Sequence, residues 1–156
     1  MRYCLAIGSN CGDRQAHIDA AATALRQDPQ VDLLHMSRLH ETAPVGGPPG
    51  QDPFLNGAWM VETRLGPHAL LHRLQAIEHA CGRARSIPWG PRSLDLDLLL
   101  AEDGRCCVSS VLVLPHPELH RRSFVLAPLV EIAADWWHPL RRCRIAACWR
   151  QLRETA

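Results

Sequence analysis

Apolar and polar positions along the chain switch repeatedly between a strand-like period and a helical one. Arg2 to Ile7 is a short apolar strand that runs into the turn Gly8-Ser9-Asn10-Cys11-Gly12-Asp13. Asp13 can then cap a helix whose apolar face is Ile18, Ala21, Ala22 and Leu25, ended by Asp28-Pro29. Val31 to Glu41 reads as a second strand, with Val31, Leu33, His35, Ser37 and Leu39 on one face, and Phe54 to Leu65 as a third. Pro67 suits the first position of a helix that carries Leu70, Leu71, Leu74, Ile77 and Cys81 at helical spacing and stops at Gly82. Leu94 to Leu100 predicts a fourth strand, and Cys107 to Leu114 a further one. Phe124 to Ala133 is an apolar helix, Trp136-Trp137-His138-Pro139 breaks it, and Ile145 to Leu152 forms a last short helix. The order β-α-β-β-α-β with a C-terminal extension predicts an α+β fold. Its sheet is mostly antiparallel with helices on one face, the ferredoxin-like split βαβ arrangement.

Chemistry-bearing residues gather where this pattern is interrupted. In Leu94–Leu100, Asp95 and Asp97 point to one face while Leu94, Leu96 and Leu98 point into a core. Two carboxylates about 6–7 Å apart along a strand can share one divalent cation or a close pair. An all-oxygen donor set favours Mg²⁺, which takes one or two carboxylates with phosphate and water. Arg92 lies just upstream and can grip a phosphate in bidentate fashion. The alternative is an edge strand that carries acids against aggregation; the apolar run that follows argues for a central strand instead. Residues 42–53 hold four Pro and three Gly, the composition of a binding loop or lid. Phe54 and Asn56 share a face beside that loop, an aromatic and an amide suited to the edge of a planar heterocycle. Residues 82–92 carry Arg83, Arg85 and Arg92 towards the acidic strand, which suits closure over a polyphosphate. His116 is held between Pro115 and Pro117.

Composition narrows the chemistry. A chain of 156 residues suits one domain over 1–156, large enough for a real core. A net charge of +1 gives no electrostatic case for nucleic acid or an anionic membrane. No apolar run matches a membrane span and no signal peptide opens the chain, so a cytoplasmic protein is expected. The seven cysteines are odd in number and form no Cys-x-x-Cys, as expected of reduced thiols. His116 with His120, and His68 with His72, have ligand spacing on a helix, but the lack of a third ligand leaves zinc weakly supported. All 17 basic residues are Arg. Without lysine there is neither a P-loop nor Schiff-base chemistry, so any phosphate must be held by Arg, His, backbone N–H groups and metal.

Taken together, Gly8-Ser9-Asn10 with Gly12-Asp13, Phe54-Leu55-Asn56, Trp89-Gly90-Pro91-Arg92-x-x-Asp95-Leu96-Asp97, and Leu114-Pro115-His116-Pro117 through Arg122 and Phe124 resemble 6-hydroxymethyl-7,8-dihydropterin pyrophosphokinases of folate biosynthesis. The resemblance runs from about residue 2 to 153. It implies transfer of diphosphate from ATP to the hydroxymethyl group of the pterin, with release of AMP. It implies that Asp95 and Asp97 bind two Mg²⁺ ions, and that Arg83, Arg92 and His116 hold the ATP phosphates. It further implies that Arg122, or Arg121 by a one-residue slip, lies on the ATP side with Trp89 and Glu78. Phe54 and Phe124 would sandwich the pterin; Asn56 would bond its edge, with Thr42, Asp95 and the backbone at Val45 completing the contacts. Phe54 stands where the best-known members have Tyr, so stacking remains without the phenol hydrogen bond. Pro88 replaces a basic residue before Trp89, and Pro117 a Tyr found in some members. The implied partners are small molecules alone; the near-neutral charge and the lack of a long amphipathic extension lean towards a monomer. The alternative is a non-catalytic small-ligand-binding regulatory module on the same fold.

Overall fold

The computed structural model describes residues 1–82 and 93–155. Strand β1 (Arg2–Ser9) lies between β4 (Phe54–Thr63) and β5 (Asp95–Ala101), antiparallel to both. Strand β2 (Val31–Met36) pairs with the far side of β4, which gives the order β2-β4-β1-β5, and the short β3 (His40–Thr42) also pairs with β4. The single strand expected over 31–41 is therefore two. Its register shifts between Leu33 and His35. At the break, Ser37 Oγ accepts from Ala58 N at 2.8 Å and donates to Arg38 O at 2.8 Å, so a hydroxyl substitutes for ladder bonds.

The two helices of the β-α-β-β-α-β unit cover one face of the sheet, as expected, and the helices of the C-terminal extension cover the other. Helix α1 (Arg14–Gln27), capped by Asp13 Oδ1 accepting from Ala16 N at 3.0 Å, and α2 (Pro67–Ala80) pack on the face formed by Tyr3, Leu5, Ile7, Trp59, Val61, Leu94, Leu96 and Leu98. Helices α3 (Ser123–Ala133) and α4 (Ile145–Thr155) pack on the other, against Cys4, Ala58, Met60, Leu99 and Leu100. The physical reason lies in β1 and β4. Both are apolar on consecutive residues, so both of their faces must leave water, and one layer of helices can cover only one.

Among the described residues β5 ends the sheet, which corrects the expectation of a central strand. Its apolar character has two other causes. A register shift between Cys4 and Leu5 inserts an extra residue opposite β1, so that Leu99 and Leu100 both enter the second core while Leu98 and Ala101 stay in the first. Its outer edge is also covered. Glu78 Oε2 of α2 accepts from Leu96 N at 2.8 Å, and His116 N donates to Leu99 O at 2.7 Å. The strand expected over 107–114 is a small hairpin, β6 (Cys107–Val108) with β7 (Val113–Leu114). A 3-10 turn at Leu119–Arg121 leads into α3, and the hairpin of β8 (Trp137–His138) and β9 (Cys143–Arg144) precedes α4.

Candidate active site

The sheet registers place three residues on one rung. Gly8 of β1 lies opposite Asn56 of β4 and opposite Asp95 of β5. The next rung is Ala58, Ala6 and Asp97. On this face the side chains shrink to almost nothing at Gly8 and Ala6, while Ala58 is packed in the second core. A cleft of about 570 Å³ lies here, with Gly8, Ala6 and Gly57 in its lining. With strands about 4.8 Å apart, Asn56 and Asp95 stand roughly 10 Å apart across bare floor, a gap that suits a flat ring.

One wall of the cleft is Thr42, Ala43, Val45 and Phe54. Asn56 is buried and its Nδ2 donates to Thr42 Oγ1, which commits that end of the amide and leaves Oδ1 over Gly8. Val45 is 63% exposed although it lines the cleft, an apolar edge without cover. The opposite side holds Asp95 and Asp97, half-buried on β5. The remaining wall is the approach to α3, with Glu118, Arg121, Arg122, Phe124 and Val125. The Arg122 guanidinium lies 5.8 Å from the centre of the Phe124 ring, and Arg121 Nη1 lies 3.7 Å from Glu118 Oε1. The cleft thus joins an amide and two aromatic rings to three carboxylates, Asp95, Asp97 and Glu118, and two guanidinium groups. Such a set can hold a planar heterocycle at one end and an anion with its cation at the other.

The carboxylate pair fits Mg²⁺. Among the described residues no group of three or more His, Cys, Asp and Glu is placed to hold a metal by itself. A hard cation that completes its shell with phosphate and water needs only the pair.

His116 does not line the cleft. Its Nδ1 accepts from Glu118 N at 3.1 Å, so in the neutral ring the proton sits on Nε2. Burial pushes its pKa down, the Arg122 charge pushes the same way, and Glu118 and Asp95 oppose them. Glu78 is also outside the lining; 3% exposed, it sits on α2 and bonds Leu96 N beneath the acidic pair. Arg83, Trp89 and Arg92 lie outside the described residues. The structure therefore brings together Thr42, Val45, Phe54, Asn56, Asp95, Asp97, Arg122 and Phe124. It adds Gly8, Ala43 and Glu118 to them, and Arg121, the alternative to Arg122, lines the cleft as well. Gly8 was visible in the sequence as part of Gly8-Ser9-Asn10, but as a turn residue, whereas it lies within β1. Glu118 had no periodic signal, because it enters from an irregular segment.

A family model described as 7,8-dihydro-6-hydroxymethylpterin-pyrophosphokinase matches residues 4–134. The chain belongs to this family. It is 43% identical over 128 residues to the 2-amino-4-hydroxy-6-hydroxymethyldihydropteridine pyrophosphokinase of Bacillus subtilis, covering 82% of this chain and 75% of that one. With the enzyme of the same name from Methylorubrum extorquens it shares 42% over 134 residues, covering 86% and 84%. The folic acid synthesis protein fol1 of Schizosaccharomyces pombe is 42% identical over 137 residues, but this chain spans only 18% of it. Among solved structures, the pyrophosphokinase–DHPS protein of Plasmodium falciparum with pterin and p-hydroxybenzoate superposes with a TM-score of 0.73 at 14% identity, covering 99% of this chain and 44% of that one. A second such protein, in complex with substrates, gives a TM-score of 0.74, and this chain again spans 44% of it. At that identity the solved structures speak for the fold, which is that of the pyrophosphokinase part of longer chains.

Proposed function

We propose that the protein transfers the terminal diphosphate of ATP to the hydroxymethyl oxygen of 6-hydroxymethyl-7,8-dihydropterin, as its family's name describes. The hydroxyl oxygen gives up its proton to solvent and bonds to the β-phosphorus, the bond from that phosphorus to the α-phosphate oxygen breaks, and AMP leaves. The observation that carries this assignment is the rung Asn56–Gly8–Asp95, which sets an amide and a carboxylate at the two ends of one bare floor.

Phe54 and Phe124 stack on the pterin, and Asn56, fixed by Thr42, bonds its edge beside the backbone at Val45. Arg122 and Arg121 face the nucleotide; the family resemblance adds Arg83, Trp89 and Arg92 on the ATP side, and His116, which stands outside the cleft lining, as a further phosphate ligand. Asp95 and Asp97 hold Mg²⁺, as two ions by the family resemblance. The metal supplies charge neutralisation on the phosphates and polarisation of the hydroxyl. Phosphoryl-type transfer asks for positioning and electrostatics more than for covalent help, so no general base needs to be named. The chain acts as one domain, as a cytoplasmic monomer, on small molecules alone. A non-catalytic ligand-binding module has no use for paired carboxylates and two arginines in one cleft.

The test is to incubate the purified protein with ATP, Mg²⁺ and the pterin and to separate the nucleotides by chromatography. AMP that forms only with pterin present is the expected result. ADP in place of AMP, or AMP without pterin, overturns the assignment. Asp97→Ala is expected to lower kcat by about a thousandfold or more while thermal unfolding stays unchanged. Undiminished turnover in that variant would sink the metal role.

A further inference from the structure

The Pro/Gly loop between β3 and β4 is fastened from outside the cleft. Asn10, 2% exposed in the turn after β1, directs Nδ2 to Gln51 Oε1 at 3.3 Å and to Asp52 O at 3.2 Å. Gln51 directs its own Nε2 to Gly46 O at 3.4 Å and Pro48 O at 3.2 Å. The direction of this relay is set by chemistry. Backbone carbonyls stand at both ends and can only accept, so both amides must present NH₂ towards the loop, and Gln51 Oε1 is left to accept from Asn10. Arg14, one turn further on, donates to Pro53 O at 2.8 Å and pairs with Glu41 at 3.5 Å, which ties the two ends of the same loop. Val45, beside Gly46, lines the cleft, whereas Asn10, Gln51 and Arg14 do not.

We propose, on the strength of the pterin site above, that Asn10 and Gln51 are positioning residues. They act through the loop to hold Ala43–Val45 against the ring and thereby set the affinity for pterin. An unbraced loop must be ordered at each binding event, and that cost falls on the substrate which the loop covers.

The isosteric variants Asn10→Asp and Gln51→Glu remove the NH₂ donors without changing volume. Gln51→Glu lies on the exposed loop, so the test survives if the buried Asn10 variant fails to fold. Each variant is expected to raise the pterin KM about tenfold and to leave kcat and the ATP KM within about twofold. Amide hydrogen exchange of residues 43–53 is expected to be faster than in the wild type without any ligand. A pterin KM within about twofold of wild type overturns the assignment, as does a joint change of both KM values and kcat with a lowered unfolding temperature. Should the wild type produce no AMP, the proposed function fails, and the exchange rates then decide the brace separately. Unchanged exchange sinks the brace; faster exchange retains it.

Discussion

Gly8 shows how one missing side chain can make a site. Its backbone has no need of a glycine, because it lies in regular strand; what it supplies is space. A Cβ there would come within 2.8 Å of Asn56 Oδ1 and 3.6 Å of both Leu55 O and Phe54 Cδ1. The strand is packed on both sides and cannot back away, so Asn56 must turn and lose its bond to Thr42. Gly8→Ala is expected to raise the pterin KM at least about tenfold, with a smaller effect on ATP. Steady-state kinetics with each substrate varied checks this, and equal effects on both would contradict a floor for pterin alone. At the same scale Asn56, Phe54 and the Asp pair were legible because alternation on a strand assigns a face directly from the residue number. Gly8 was not, since a residue without a side chain has no face to read.

Among the elements, β5 carries the largest correction. Its leucine run follows from a bulge and from cover by neighbouring elements rather than from a central place in the sheet. Glu78 is the anchor, a buried carboxylate that satisfies an edge N–H directly between the two aspartates. Glu78→Ala leaves that N–H without its acceptor and is expected to cost about 1–3 kcal/mol in urea unfolding. It should also raise the Mg²⁺ concentration needed for half-maximal activity, because Asp95 and Asp97 flank Leu96. Glu78→Gln keeps an acceptor and is expected to restore most of both. A loss of the same size in Glu78→Gln would mean that the charge, rather than the edge bond, is what counts.

The whole molecule has two cores back to back, and the second is the one that acid should weaken. His138 is 2% exposed; its Nδ1 accepts from Arg141 N at 3.1 Å, and its ring meets that of His120 edge-on with centroids 5.8 Å apart. Burial, then the charges of His120 and Arg141, push its pKa from the ordinary 6.5 down to about 4. His120 is lowered too, by burial and by Arg141 and Arg121. Because the folded state disfavours the proton, the unfolded chain binds more protons between those two values. Stability is complete above pH 6.5 and declines as the pH falls towards 4, by about 3 kcal/mol for His138 if fully expressed. Urea midpoints at about pH 7 and about pH 5 should therefore differ, and His138→Asn, which keeps an acceptor for Arg141 N, should flatten the difference.

Local chemistry was enough to predict α1 with its Asp13 cap, α2 from its Pro67 start, the loop at 42–53 and the shared face of Asp95 and Asp97. Each depends on residues within a few positions of one another, so spacing alone decides it. Three things depended on the tertiary structure: helices on both faces of the sheet, β5 at its edge with Glu78 beneath it, and the cleft left by Gly8 and Ala6. The strand partners concerned lie 46 to 98 positions apart and Glu78 lies 18 from Leu96, and no periodicity within one segment records which remote segment lies opposite it or how much room that segment leaves.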